Sequence, residues 1–204
     1  MFKQIHKDSL YYGFPVTLLA TQSIDGTDNI SPISSSWTLN NHVVLGVSLE
    51  GQAYQNMLTT KEATINNADS KIWSNIERIA RTTGKSHIDR NKKMMGYQYC
   101  SDKFQLGGFS KIPSATVKTA AIRECPIRIE VIIKNIAPQD DFAIVICKIK
   151  SIFVDTSILH DKNHIDVTKW NPLLYQFRSY TTTSASLGQN FRFEEYLDVT
   201  KPAN

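Results

Sequence analysis

The chain has 204 residues, 41% of them hydrophobic, a size that fits one domain with appendages at most. No stretch approaches the roughly 20 apolar residues that cross a bilayer, and the opening MFKQIHKDSL lacks the basic-then-apolar pattern of a secretory signal, so a cytoplasmic location without a membrane partner is expected. The net charge is +4, from 23 basic and 19 acidic residues, and the densest basic run, Arg90, Lys92 and Lys93 beside Asp89, reads as a solvated helix face rather than a nucleic-acid-binding patch.

Phe14 to Ser23, rich in Val, Thr and Leu, reads as a strand, and Ile24 to Asn29 as a turn with Asp25-Gly26 as the breaker. Ile30 to Leu39 is a second extended stretch, rich in small hydroxyl residues. Asn40, Asn41 and His42 form another turn. Val43 to Leu49 is a compact apolar strand, expected to be buried on both faces or nearly so. Gly51 then opens a short helix through about Thr60, and Glu62 to Asn67 is one more strand. Residues 69–95 are helical: Ile72, Trp73, Ile76, Ile79 and Ala80 form one apolar stripe and are expected in the core. Arg81 to Arg90 reads as a loop, with a further helical turn over Asp89 to Met95.

Strands return as Ala115 to Ala120, Ile127 to Ile133 and the long β-branched stretch Phe142 to Val154, with a hairpin turn at Ala137 to Asp141. Strands early, helices in the middle and strands late describe a mostly β chain, an antiparallel barrel with helical insertions. No Gly-x-Gly-x-x-Gly follows a strand and there is no P-loop, which argues against a Rossmann domain. Trp170, Tyr175, Phe177, Tyr180, Phe191, Phe193 and Tyr196 make the C-terminal stretch too aromatic for a free tail. It is expected to dock on its own barrel or on a second subunit. Cys100, Cys125 and Cys147, odd in number and widely spaced, fit neither a disulfide framework nor a zinc site.

Two segments carry the chemistry. In Asp28 to Trp37, the hydroxyls of Ser31, Ser34, Ser35 and Ser36 allow close approach and hydrogen bonding to a ligand, and Trp37 adds a flat surface. The same segment also reads as an edge strand that tolerates serine. In Ser48 to Asn56, a strand ends in a Gly51 turn that starts a helix, whose free N–H groups suit a phosphate. Glu124 and Glu130 read as structural carboxylates. His160 and His164 lie four apart, but the Glu of His-Glu-x-x-His is missing, so no metal is expected there. His160 remains a candidate functional side chain. Ser34 to Ser36 lack the Gly-x-Ser-x-Gly frame of a nucleophile.

In order, these pieces resemble the flavin reductase-like, FMN-binding split-barrel family. The likeness runs from about Tyr12 to Leu187. It rests on Phe14 to Thr21, Asp25-Gly26, Asn29 to Trp37, Val43 to Leu49, Tyr54 with Asn56, and Asn66. Later it continues in Asp102-Lys103-Phe104, Pro113-Ser114, Ile122 to Pro126 with Ile129-Glu130, and Asn171 to Tyr175 with Tyr180 and Leu187-Gly188. The resemblance implies a single domain over residues 1–204, with a barrel core over about 12–160 and a docking segment over about 165–199. It implies a six-stranded antiparallel Greek-key split barrel that pairs as a homodimer with FMN near the subunit interface. Ser34, Ser35, Ser36 and Trp37 would line the ring and ribityl chain, Ser48, Leu49, Gln52, Ala53 and Tyr54 would hold the phosphate, and Asn66 would sit at the flavin edge. Gln52-Ala53 departs from the basic or polar residue and Thr usual at that turn, so backbone N–H groups, Ser48 and Lys or Arg residues from elsewhere would have to compensate. The implied activity is hydride transfer from NAD(P)H through FMN to free flavin or another acceptor, with no protein base. The alternative is a non-catalytic FMN-binding or electron-carrier protein.

Overall fold

The structure is a computed structural model and describes residues 1–7 and 9–188. The single strand predicted over Phe14–Ser23 is two: β1 (Tyr12–Pro15) and β2 (Thr17–Gln22). The break falls at Val16, whose N–H donates to the Leu173 carbonyl at 2.8 Å while its own carbonyl accepts from Ala68 at 3.2 Å. Gly26 turns the chain at φ +88°, and the Asp25 carboxylate accepts from Ser23 Oγ and the Thr27 N–H at 2.8 and 2.9 Å. That fixes the hairpin between β2 and β3 (Asp28–Ile33).

The extended stretch predicted over Ile30–Leu39 also breaks, at Ser34 and Ser35, and β4 (Ser36–Leu39) follows. Asn40, at φ +45°, turns into β5 (His42–Ser48). Next come α1 (Gln52–Thr60) and β6 (Glu62–Asn67), both where the sequence places them. α2 (Trp73–Ala80) buries Ile76 and Ile79. Trp73 is not core, as the stripe suggests, but 51% exposed, because α2 packs on the outside of the barrel and its Trp73 ring meets Tyr180. β7 (Thr82–Thr83) pairs in parallel with β8 (Gln98–Tyr99) around α3 (Arg90–Met94), which the Asp89 carboxylate caps. α4 (Lys103–Gly107) is capped by Asp102.

β9 (Lys111–Ile112) pairs with β10 (Ala121–Ile122). The strand expected over Ala115–Ala120 is absent. Its backbone donors go to carboxylates instead of a ladder: Ala115 and Thr116 to Glu130, and Lys118 to Glu62. β11 (Ile127–Pro138) and β12 (Phe142–Val154) form a long hairpin with two register shifts, which bend and twist it. β13 (Leu174–Gln176) and β14 (Ser179–Thr181) fold back onto β1 in the same chain. Of the aromatic C-terminal stretch, Phe191, Phe193 and Tyr196 lie outside the described residues.

The main sheet has seven strands, ordered β3-β2-β6-β11-β12-β5-β4, and not six. The additional strand is β4, created by the break at Ser34-Ser35. The two edge strands, β3 and β4, are consecutive in the chain. A two-residue link holds those edges within about 11 Å of one another there, so the sheet curls into a barrel that stays split between them. The barrel interior packs Leu19, Leu45, Val131 and Val145, with Ala53 and Met57 of α1 closing one end. A second cluster outside joins Leu18, Ala20 and Ile30 to Ile76, Ile79 and Phe104. The strand buried on both faces is therefore β2. β5 alternates: Val43, Leu45 and Val47 are buried while Val44 and Gly46 are half-buried, because no helix among the described residues covers its outer face. Among the described residues, no helix is long and apolar enough to cross a membrane.

Candidate functional site

A groove of about 160 Å³ lies along the split. Ser31, Pro32 and Ile33 of β3 form one wall, and Gly46 and Ser48 of β5 form the floor. Gly51, Gln52 and Ala53, at the start of α1, close one end, and Thr82, Thr83, Lys92, Tyr97 and Lys103 cover it. Each wall has a local cause. Gly46 lets the chain at Ser35 come close: its N–H donates to the Ser35 carbonyl at 2.8 Å, and a Cβ there would stand 3.0 Å from Ser35 Cβ. Ala53 is small because it also fills the end of the barrel core, where it is 5% exposed. The hydroxyl missing at that turn is thus a packing requirement.

Among the described residues no side chain caps α1, so the N–H groups of its first turn meet the groove without a capping acceptor. Two ammonium groups face that region. Lys92 Nζ donates to the Glu50 carbonyl at 2.9 Å, just ahead of the helix. Burial pulls its ammonium below the usual lysine range, and the charges of Asp89 and Glu50 push it back up. Lys103 is 4% exposed, and its Nζ donates to the Ile30 carbonyl at 3.0 Å, on the β3 side. Burial draws Lys103 down to about 8; Cys100 opposes the fall and Lys92 adds to it. Two partly desolvated cations in one groove favour an anionic ligand.

Of the residues singled out in the sequence, Ser48, Gln52 and Ala53 line the groove. The serine-tryptophan segment is displaced: Ser31 to Ile33 form the wall, while Ser34 and Ser35 turn the chain and Ser36 is buried at 7% exposure. Trp37, 54% exposed, pairs with Val44 on the outer face, two residues along β5 from Gly46. It flanks the groove rather than lining it. Leu49 and Tyr54 are half-buried against the barrel core. Asn66 is fully buried, and its amide is spent inside the fold: Nδ2 donates to Leu18 and Thr64 carbonyls, and Oδ1 accepts from Ile122. It does not reach the groove surface. His160 lies on an exposed loop, its N–H donating to the His164 carbonyl. His164 contacts the Asp161 carboxylate, which the Asn163 N–H and then His164 hold down to about 2. The two histidines are not on one helix. Glu124 accepts from the Ser110 N–H, and buried Glu130 braces residues 115–116.

Sequence reasoning missed Lys92 and Lys103. Lys92 belongs to the run that reads as a solvated face; α3 turns it inward while Lys93 stays exposed. Lys103 had a signal, since Asp102-Lys103-Phe104 was among the segments carrying the resemblance. Beside the groove, Gly84 lies tight over Asn29: a Cβ there would stand 2.8 Å from Asn29 Oδ1, which is buried and has no hydrogen-bond partner among the described residues.

Known proteins share this architecture. The family model described as flavin reductase like domain matches residues 10–184. The uncharacterized protein YdfE of Bacillus subtilis (strain 168) is 41% identical over 196 residues, covering 95% of each chain. Among solved structures, flavoredoxin of Desulfovibrio vulgaris (Miyazaki F) superposes with a TM-score of 0.80 at 19% identity, over 94% of this chain and 98% of that one. Flavoredoxin from Methanosarcina acetivorans gives 0.77 at 18%, over 97% and 99%.

Proposed function

The chain belongs to the flavin reductase like domain family, and on that premise we propose that its groove holds FMN and that the protein is an NAD(P)H-dependent oxidoreductase of the flavin reductase type. The observation that carries this reading is the pair of ammonium groups, Lys92 and Lys103, set in one groove beside the uncapped start of α1. That donor set fits a phosphate-bearing ligand, because charge-assisted hydrogen bonds are about twice as strong as neutral ones. Lys92, the Gln52–Ala53 backbone and Ser48 would hold the phosphate. They supply the charge that the Gln52-Ala53 turn lacks.

When bound, FMN supplies hydride and electron transfer from NAD(P)H to free flavin or another small-molecule acceptor. The chain's own part is binding and orientation. Pro32, Ile33 and Gly46 give the groove an apolar lining, and Gly46 lets a flat ligand lie close to the backbone. Trp37 would add a flat apolar surface at the flank. The exposed face around Trp37, Phe142 and Ile144 would be covered by a second copy of the chain, which makes the protein a homodimer.

An anaerobic absorbance titration tests the proposal. The protein is mixed with FMN, desalted and treated with NADH or NADPH under argon. Retained flavin bands that bleach with either coenzyme support the reductase. Retained bands that bleach only with dithionite identify an electron carrier, and a colourless protein after desalting refutes FMN binding.

A further inference from the structure

A second cavity, of about 270 Å³, adjoins the groove at the start of α1. Gln52 lines both, and Gly84, packed against Gln52, stands over Asn29 at the junction. The two spaces differ in charge. Lys92 and Lys103 line the groove, and both reach towards the junction: Lys92 to Glu50, just ahead of Gln52, and Lys103 to Ile30, the chain neighbour of Asn29. Among the described residues neither lysine forms an ion pair. The adjoining cavity has no lysine or arginine in its wall among the described residues. Asp25 and Asp28 line it from the β2–β3 hairpin, and Tyr99 and Ser101 from the covering segment. The Thr27 N–H and the Ser23 hydroxyl hold the Asp25 carboxyl below the usual carboxylate range, and Asp28 faces Lys111 at 3.3 Å. Two carboxylates disfavour a phosphate there and accept from neutral donors. Asn29, 5% exposed, also lines this cavity, and its buried Oδ1 has no hydrogen-bond partner among the described residues. A buried acceptor left unpaired is costly to keep, and a ligand that donates to it removes that cost.

We propose that this cavity takes the adenosine end of a flavin dinucleotide, so that FAD lies across the junction and is held more tightly than FMN. The inference rests on the flavin reading above and deepens it. The flavin occupies the groove, and the two phosphoryl groups meet the lysines and the free N–H groups of the first turn of α1. The adenosine lies beyond Gln52. Its ribose hydroxyls and its amino group are neutral donors, which suit Asp25, Asp28 and the Asn29 Oδ1. Its base is a flat ring, and Tyr99, 52% exposed, offers a face to stack on. FMN ends at its phosphate and leaves these acceptors to water. A cationic groove that opens into an acceptor-lined cavity matches a ligand whose phosphates are followed by an uncharged, donor-bearing group.

The test uses the full-length protein, stripped of flavin, and its Tyr99→Ala and Ser101→Trp variants, each confirmed folded by its thermal melt. Both positions line the adjoining cavity and neither lines the groove. Tyr99→Ala removes the stacking face, and Ser101→Trp fills the space. Dissociation constants for FAD, FMN and NADH are measured by calorimetry. The wild type should bind FAD roughly tenfold more tightly than FMN, the scale of one base–aromatic stack. Both variants should lose that preference while their FMN affinity stays within about twofold of the wild type. Wild-type protein that binds FAD no more tightly than FMN overturns the proposal and leaves the flavin reading standing. A preference that survives undiminished in either folded variant also overturns it. So does an affinity for NADH, in place of FAD, that falls in Ser101→Trp, since the cavity would then serve the nicotinamide coenzyme. Binding of neither flavin refutes the proposal and the flavin reading together. Should neither variant fold, the wild-type ratio of FAD to FMN affinity decides.

Discussion

The charge on Lys103 has a measurable cost in the ligand-free protein. Its folded-state pKa is drawn from 10.5 to about 8 by burial. The unfolded chain therefore binds more protons than the folded one between those values, and wild-type stability rises with pH across that window. From pH 7 to pH 10 the gain is on the order of 2 kcal/mol. Lys103→Met removes the buried charge and leaves the Ile30 carbonyl without its donor, a loss of about 1–3 kcal/mol. At pH 7 the two effects nearly cancel, so the variant should match the wild type within about 2 kcal/mol. At pH 10 the wild type no longer carries the burial cost, and the variant should be less stable by about 1–3 kcal/mol. Urea denaturation of both proteins without flavin, at the two pH values, reads the difference directly. A stability gap that is the same at pH 7 and pH 10 would refute the reasoning, since it would mean that Lys103 is not charged in a desolvated site.

Two further outcomes follow from the same structure. Glu130→Gln places an NH₂ donor against the Ala115 N–H and the Thr116 N–H and Oγ, which bond the carboxylate at 2.8, 2.7 and 2.6 Å. It should destabilise the fold by about 2–4 kcal/mol and lower the melting temperature by roughly 5–12 °C; an unchanged melt would show that the loop does not depend on that charge. Trp37→Ala removes an exposed ring from the outer face of β4. It should weaken retention of FMN on desalting while shifting the melting temperature by less than about 2 °C, and equal retention would remove Trp37 from the site.

Elements with a clear period and a marked turn were legible in the sequence. β6 and β12 fall on their predicted spans, and the Asp25-Gly26 turn sits where the dipeptide places it. The failures share a cause. The break at Ser34-Ser35 is not a local preference; it arises because β3 and β4 hydrogen-bond to β2 and β5, at opposite edges of one curled sheet. Likewise, Ala115 to Ala120 has the look of a strand, but its donors are taken by Glu130 and Glu62, both distant in sequence. The resemblance implies Asn66 at a ligand, whereas its amide bridges Leu18 and Ile122. In each case a long-range partner outweighs the local pattern.

The same logic explains why the Gln52-Ala53 turn lacks a charge and a hydroxyl. A small residue at position 53 is imposed by the barrel end, where Ala53 packs in one cluster with Met57 and Leu19. A basic residue at position 52 would have to share space with Gly84, whose missing Cβ would lie only 3.2–3.3 Å from the Gln52 side chain. Gln52 instead donates to Asn56 at 2.7 Å, and Asn56 donates to Thr21 at 3.1 Å, a chain that ties the helix start to β2. The turn is thus committed to holding α1 on the barrel. Positive charge has to arrive from segments that cross over the split, and α3 and α4 deliver it through Lys92 and Lys103. A groove assembled this way depends on the covering segment for its charge, so ligand affinity should follow the integrity of residues 82–103 more closely than the stability of the barrel beneath them.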